Sequence, residues 1–123
     1  MIRIFIADDH AIVRQGIKQL IREEYSQAEF GEAVNGCETL EKLQTEKWDV
    51  IIMDVSMPLK NGVEVLKQIR REHIDTPVLM LSFHSEEQYA PMSAKAGANA
   101  YLEKGNLSED LLNTLSKLLK TPI

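Results

Sequence analysis

Four places in the sequence carry side chains that could act together. Asp8 and Asp9 follow the apolar run 2–7, Asp54 follows 50–53, Ser82 follows 78–81, and Glu103 and Lys104 follow 100–102. If the ends of these runs meet, they present three aspartates, a hydroxyl and an ammonium group in one place. Two unit charges about 5 Å apart at an effective dielectric near 20 repel by roughly 3 kcal/mol, so three ionised acids left uncompensated cost roughly 10 kcal/mol. A divalent cation, Lys104 or protonation must offset that cost. Ligands that are all oxygen, few in number and beside water suit Mg2+. Such a site with one ammonium and one hydroxyl beside it suits a phosphoryl group: metal and lysine neutralise its oxygens, and the hydroxyl donates to one of them. A carboxylate of the same cluster can serve as the nucleophile.

The elements needed to position these groups are legible. Short apolar runs at 2–7, 30–34, 50–53, 78–81 and 100–102 alternate with amphipathic stretches. The runs 50–53 and 78–81 are continuously apolar, as expected of strands buried on both faces of a parallel sheet. Helical stripes lie between them: Val13, Ile17, Leu20 and Ile21; Val63, Leu66 and Ile69; and Leu107, Leu111, Leu112, Leu115, Leu118 and Leu119. Asn35, Asn61 and Asn106 each precede a glutamate by three residues, and Ser85 precedes Gln88 in the same way, which marks helix starts. The pattern predicts a doubly wound α/β fold with a parallel sheet and right-handed crossovers, one domain over residues 1–123. In such sheets ligands sit beyond the carboxyl ends of the strands, where the candidate residues fall. Pro91 interrupts one helical stretch, which is therefore expected either to kink or to begin late, and its stripe (Tyr89, Met92, Ala96) is thin.

Composition narrows the function classes. A chain of 123 residues, 44% hydrophobic and 27% charged, is an ordinary globular domain rather than a disordered segment. Its 14 basic and 19 acidic residues leave a net charge of −5, which gives no electrostatic grip on nucleic acid or an anionic membrane. The single cysteine, Cys37, closes no internal disulfide and reads as a packing residue. The apolar start is too short to span a membrane, and a cytoplasmic location follows as the default. Six glycines form neither a G-x-G-x-x-G turn nor a P-loop, which argues against nucleotide binding. Adjacent acids after the first run, and no room for a cap insertion, argue against an aspartate-nucleophile phosphatase.

The segments Ile-Phe-Ile-Ala-Asp8-Asp9-His, Val-Ile-Ile-Met-Asp54-Val-Ser-Met-Pro58, Asn61-Gly62, Pro77-Val-Leu-Met-Leu-Ser82 and Gly97-Ala-Asn-Ala-Tyr101-Leu-Glu-Lys104 resemble the receiver domain of bacterial two-component response regulators. The likeness runs from residue 1 to about 120, and the opening is most similar to the subfamily with a LuxR-type helix-turn-helix output domain. The resemblance implies a (βα)5 fold of strand order 2-1-3-4-5. It implies that Asp54 accepts a phosphoryl group from a sensor histidine kinase, with only self-catalysed transfer and dephosphorylation for enzymology. Mg2+ would be held by Asp9, Asp8, Asp54 and the main-chain carbonyl of Ser56. Lys104 would pair with Asp54 and then with phosphoryl oxygens. Ser82 would hydrogen-bond the phosphoryl group and Tyr101 would follow its movement, altering the face formed by the fourth helix, fifth strand and fifth helix. Ser56 and His84 occupy the positions that tune phosphoryl lifetime, and their types predict slow dephosphorylation. The partners implied are the kinase, an output DNA-binding domain outside this chain and, as a further option, a second copy in a homodimer. The chain reads as a receiver cut out from such a protein.

Two residues depart from the family's pattern. Gly105 stands where a proline with a cis bond is common, and Phe83 stands where a small residue is common and could narrow access to the phosphoryl group. They are the only support for a competing reading, a receiver-like interaction module without phosphorylation. His10 reads as flanking the site rather than as a ligand.

Overall fold

The alternation resolves into five strands and five helices in the computed structural model, which describes residues 1–83 and 86–119, with the backbone alone for 86–88. In chain order these are β1 (Arg3–Ala7), α1 (Ala11–Glu24), β2 (Glu29–Ala33), α2 (Gly36–Thr45), β3 (Val50–Asp54), α3 (Gly62–Arg71), β4 (Val78–Ser82), α4 (Glu86–Ala96), β5 (Ala100–Glu103) and α5 (Leu107–Leu119). The strands form one parallel sheet in the order β2-β1-β3-β4-β5, as expected.

Strand alternation divides the core into two layers. Phe5, Ala7, Ile51, Met53, Val78 and Met80 face α2 and α3, where they meet Leu40, Leu43, Leu66 and Ile69. Ile4, Ile6, Val50, Ile52, Leu79 and Leu81 face α1 and α5, where they meet Ile17, Ile21, Leu111 and Leu115. β3 and β4 are buried along their whole length, which explains their unbroken apolar sequence.

Two of the four expected capping signals act as such. Asn35 Oδ1 accepts from the amide of Glu38 at 2.8 Å, and Asn61 Oδ1 accepts from that of Glu64 at 2.9 Å. Asn106 instead ends a 3-10 turn, Lys104–Asn106, that runs directly into α5. Ser85 lies outside the described residues. α4 does not begin late: it starts at Glu86 and carries Pro91 within it. Its stripe is thinner than expected, since Ala96 is buried and Tyr89 packs on the first core layer while Met92 is largely exposed. Cys37 is exposed on the first turn of α2, which corrects the packing expectation; the core side of that turn is filled by Gly36 and Thr39. The described peptide bonds, that between Lys104 and Gly105 among them, are trans.

The fold brings one glycine against the site. A Cβ on Gly62 would lie 2.1 Å from the main-chain oxygen of Asp54, so the first turn of α3 can seat over the end of β3 only without a side chain. The Gly62 amide donates to Val55 O at 2.8 Å and closes the loop after Asp54.

Candidate functional site

The strand order reverses between β1 and β3: one neighbour of β1 follows it in the chain, and the other is reached by crossing over. Ala7 pairs with Met53 across these two strands, so the next residues, Asp8 and Asp54, leave the sheet side by side at the topological switch point. The loop after β1 is pinned from three sides. Asp8 N donates to Ala33 O at 3.0 Å, His10 N donates to Asp8 Oδ1 at 2.8 Å, and Arg14 of α1 donates to Asp8 O at 2.7 Å while its Nε pairs with Glu32. Asp9 is left more open, its side chain about one third exposed.

β5 brings Lys104 to the same point from the far edge of the sheet. Its side chain is almost wholly buried, and Nζ lies 2.8 Å from Asp8 Oδ2 and 3.2 Å from Asp54 Oδ2. The Ser56 amide donates to Asp54 Oδ1 at 3.3 Å. Asp8 Oδ2 and Asp54 Oδ2 are buried and in ion-pair contact with Lys104, yet neither accepts a hydrogen bond of normal direction. Burial, with the Asp8 charge adding to it, pushes the Asp54 carboxyl up to about 6, against the pull of Lys104.

Ser82 ends β4, almost fully buried, level with Glu103 of β5. Tyr101 on β5 is half-buried and packs on the first core layer, beside the segment that includes Ala96. His84, expected as a lifetime-tuning residue, lies outside the described residues. The sequence-based grouping thus brings Asp8 and Asp54 into contact with Lys104, places Asp9 within 4.8 Å of both acids, and sets Ser82 and Ser56 at neighbouring loop ends.

Two residues belong closer to the site than sequence reasoning placed them. His10 does not merely flank it: Nδ1 lies 2.9 Å from Asp8 Oδ1, 3.3 Å from Asp9 Oδ1 and 4.0 Å from Asp54 Oδ2. Phe83 is 68% exposed, and its ring lies 4.6 Å from Lys104 Nζ and edge-on to the His10 ring at 5.8 Å. Together they roof the lysine and the acids. Adjacency to Asp9 was the only signal for His10, and none marked Arg14.

Four groups, Asp8, Asp9, His10 and Asp54, offer ligand atoms that all lie within 4.8 Å of one another. Two of those acids carry buried oxygens without a directed hydrogen bond, so the residues present suit a metal cation.

A doubly wound sheet with an acidic, metal-suited cluster and a buried lysine at its switch point defines an α/β domain built to handle a charged group. The chain belongs to the response regulator receiver domain family, whose model matches residues 4–116. It is 35% identical over 120 residues to the transcriptional regulatory protein YdfI of Bacillus subtilis, a match covering 98% of this chain and 56% of YdfI. It therefore spans about half the length of that curated relative. Among solved structures it superposes on the response regulator TrrA of Thermotoga maritima, in complex with Mg2+-BeF, with a TM-score of 0.84 and 32% identity over 97% of this chain and all of that one. It also superposes on a LuxR-family DNA-binding response regulator of Staphylococcus aureus, with a TM-score of 0.87 and 26% identity over 98% of this chain and all of that one. The chain is thus a receiver domain, the phosphoacceptor module of two-component signalling. Among the described residues no helix is long and apolar enough to cross a membrane.

Proposed function

We propose that Asp54 is the residue that accepts the phosphoryl group. The observation that carries this is its Oδ2: buried, without a directed hydrogen bond, and 3.2 Å from the Lys104 ammonium. A carboxyl held up at about 6 is ionised at neutral pH and remains basic enough to attack. The carboxylate attacks the phosphorus of a phosphohistidine on a sensor histidine kinase. The P–N bond breaks, a P–O bond forms, and the kinase imidazole leaves. Lys104 moves from sharing two carboxylates to neutralising phosphoryl oxygens. Ser82 donates its hydroxyl to one of them, and Tyr101 follows.

The cation is Mg2+, with Asp9, Asp8, Asp54 and the carbonyl of Ser56 as its protein ligands. When bound it supplies positive charge to the phosphoryl oxygens and offsets the repulsion among the acids. The Mg2+-BeF complex of TrrA supports this choice of ion. Ser56 and His84 set the phosphoryl lifetime, and neither offers an acid or amide to orient water, so self-catalysed dephosphorylation is slow. The reading extends to a cytoplasmic response regulator whose output is transcription through a LuxR-type DNA-binding domain, supported by the YdfI and LuxR-family relatives.

Intact mass after incubation with acetyl phosphate and Mg2+ tests the reading. One labile phosphoryl adduct is expected, absent with chelator and absent in Asp54→Asn. An adduct that persists in Asp54→Asn overturns the assignment. No adduct on a chain that also fails to bind Mg2+ would favour an interaction module.

A further inference from the structure

Both main-chain groups of Asp8 are engaged outside β1. Its amide donates to Ala33 O at the end of β2, and its carbonyl accepts from Arg14 Nη1 at 2.7 Å. That carbonyl shares a peptide plane with the Asp9 nitrogen, so whatever holds it sets the direction in which the chain enters Asp9. The start of α1 does not supply this hold. His10 makes no side-chain cap there, the first turn carries no acid, and the helical bond from Arg14 N goes to His10 O, beyond Asp8.

Arg14 is in turn oriented from β2. Its Nε donates to Glu32 Oε1 at 2.9 Å while Nη1 reaches Asp8, so one planar guanidinium joins the ends of two strands. Glu32 pairs with Ile6 in the β1–β2 register, one residue before the Ala33 that receives the Asp8 amide. Its other oxygen takes Lys18 Nζ at 2.9 Å. Burial works against the Glu32 charge, but the hydrogen bonds from Lys18 and Arg14 outweigh it and hold the carboxyl below its ordinary value. The Arg14 side chain is only 16% exposed, so its charge is kept from water for contacts with one carboxylate and one carbonyl. An ion pair serving the surface alone needs no such carbonyl.

We propose that Arg14 is a positioning residue for phosphoryl acceptance: oriented by Glu32, its guanidinium fixes the Asp8–Asp9 peptide and so keeps the Asp9 carboxylate beside those of Asp8 and Asp54. The inference rests on the reading of Asp54 as the acceptor with Mg2+ held by the acids. Asp54 is placed by β3 and keeps its contact with Lys104 whatever happens at Arg14. Loss of Arg14 is therefore felt in how readily the acids gather round the cation, and not in how well Asp54 attacks.

The test titrates the whole chain with MgCl2 by calorimetry and follows modification by acetyl phosphate by intact mass. The variants are Arg14→Met, Lys18→Met, Glu32→Ala and the Arg14→Met/Glu32→Ala double variant, each checked for folding by circular dichroism. Arg14→Met should weaken Mg2+ binding by about tenfold or more, while its modification rate at saturating Mg2+ stays within about threefold of wild type. Lys18→Met removes the same charge from the same carboxylate and should change Mg2+ affinity by less than about twofold. Glu32→Ala leaves α1 untouched and should weaken binding by about threefold or more. The double variant should bind no worse than Arg14→Met alone, because the two residues act as a unit. In chelator, the His10 amide, which donates to Asp8 Oδ1 at 2.8 Å, should exchange its hydrogen about tenfold faster in Arg14→Met than in wild type, read by nuclear magnetic resonance. Unchanged Mg2+ affinity in Arg14→Met, a rate that stays low at saturating Mg2+, an equal loss in Lys18→Met, additive losses in the double variant, or unchanged His10 exchange overturns the proposal. A wild type that binds no Mg2+ removes the metal reading alone, and His10 exchange in chelator then decides for or against Arg14.

Discussion

Replacing Asp54 by asparagine removes a charge from a position where burial and the neighbouring Asp8 both disfavour it, while keeping the shape of the protonated acid. In the folded chain the carboxyl titrates at about 6, against an ordinary value of 3.8. A difference of about two units corresponds to about 3 kcal/mol. The sign follows from proton counting. Below 3.8 the folded and unfolded chains both hold the proton, and the group makes no difference. Between 3.8 and about 6 only the folded chain holds it, so stability falls as pH rises through that window. Above about 6 the full penalty is present. The neutral amide carries no such penalty, so Asp54→Asn should be more stable than wild type at pH 7.5 by up to about 3 kcal/mol in chelator. At roughly 4 °C per kcal/mol for a domain of this size, the melting temperature should rise by about 10 °C. Thermal unfolding by circular dichroism, run on both proteins from pH 5 to 8, reads the effect, and the gap should widen with pH. Mg2+ should narrow it by stabilising wild type more than the variant. A variant equal to or less stable than wild type at pH 7.5, or a gap that does not change with pH, would refute the reasoning.

Three further outcomes follow from the same geometry. Lys104→Met removes the cation within 3.2 Å of both buried acids and should cost about 3–5 kcal/mol at pH 7.5 in urea unfolding, less at pH 5 where Asp54 is protonated. Gly62→Ala sets a Cβ against the Asp54 carbonyl and should cost about 1–3 kcal/mol, with slower phosphorylation from acetyl phosphate read by mass in the folded fraction. Phe83→Ala should change stability by less than about 0.5 kcal/mol, because the ring is mostly in solvent, and should speed modification by acetyl phosphate by uncovering Lys104.

Much of this arrangement was legible because each local signal had a single cause. The runs at β3 and β4 are unbroken because both faces of those strands are covered, and Asn35 and Asn61 cap because each sits three residues before the amide it accepts from. The contact of Asp8 with Asp54 depended on the β1–β3 register, which the pattern of acids at strand ends anticipated. What stayed hidden was direction. Nothing in the string Asp8-Asp9-His10 says that the imidazole turns inward, since that depends on Phe83 and Lys104, which arrive from β4 and β5. Cys37 was misplaced because the first turn of α2 buries Gly36 and Thr39 and turns its third side outward. Of the two outcomes expected at Pro91, the late start is the one the structure excludes, because α4 begins at Glu86 and one lost hydrogen bond is tolerated inside the helix.

The central claim is that the Asp54 carboxylate carries the phosphoryl group. An acyl phosphate is reduced by borohydride to an alcohol, which converts the modified aspartate to homoserine. Treatment of the chain with acetyl phosphate and Mg2+, then borohydride, then peptide sequencing by mass spectrometry locates it. Homoserine at position 54 alone is the predicted result; homoserine at position 8 or 9, or at none, would contradict the account.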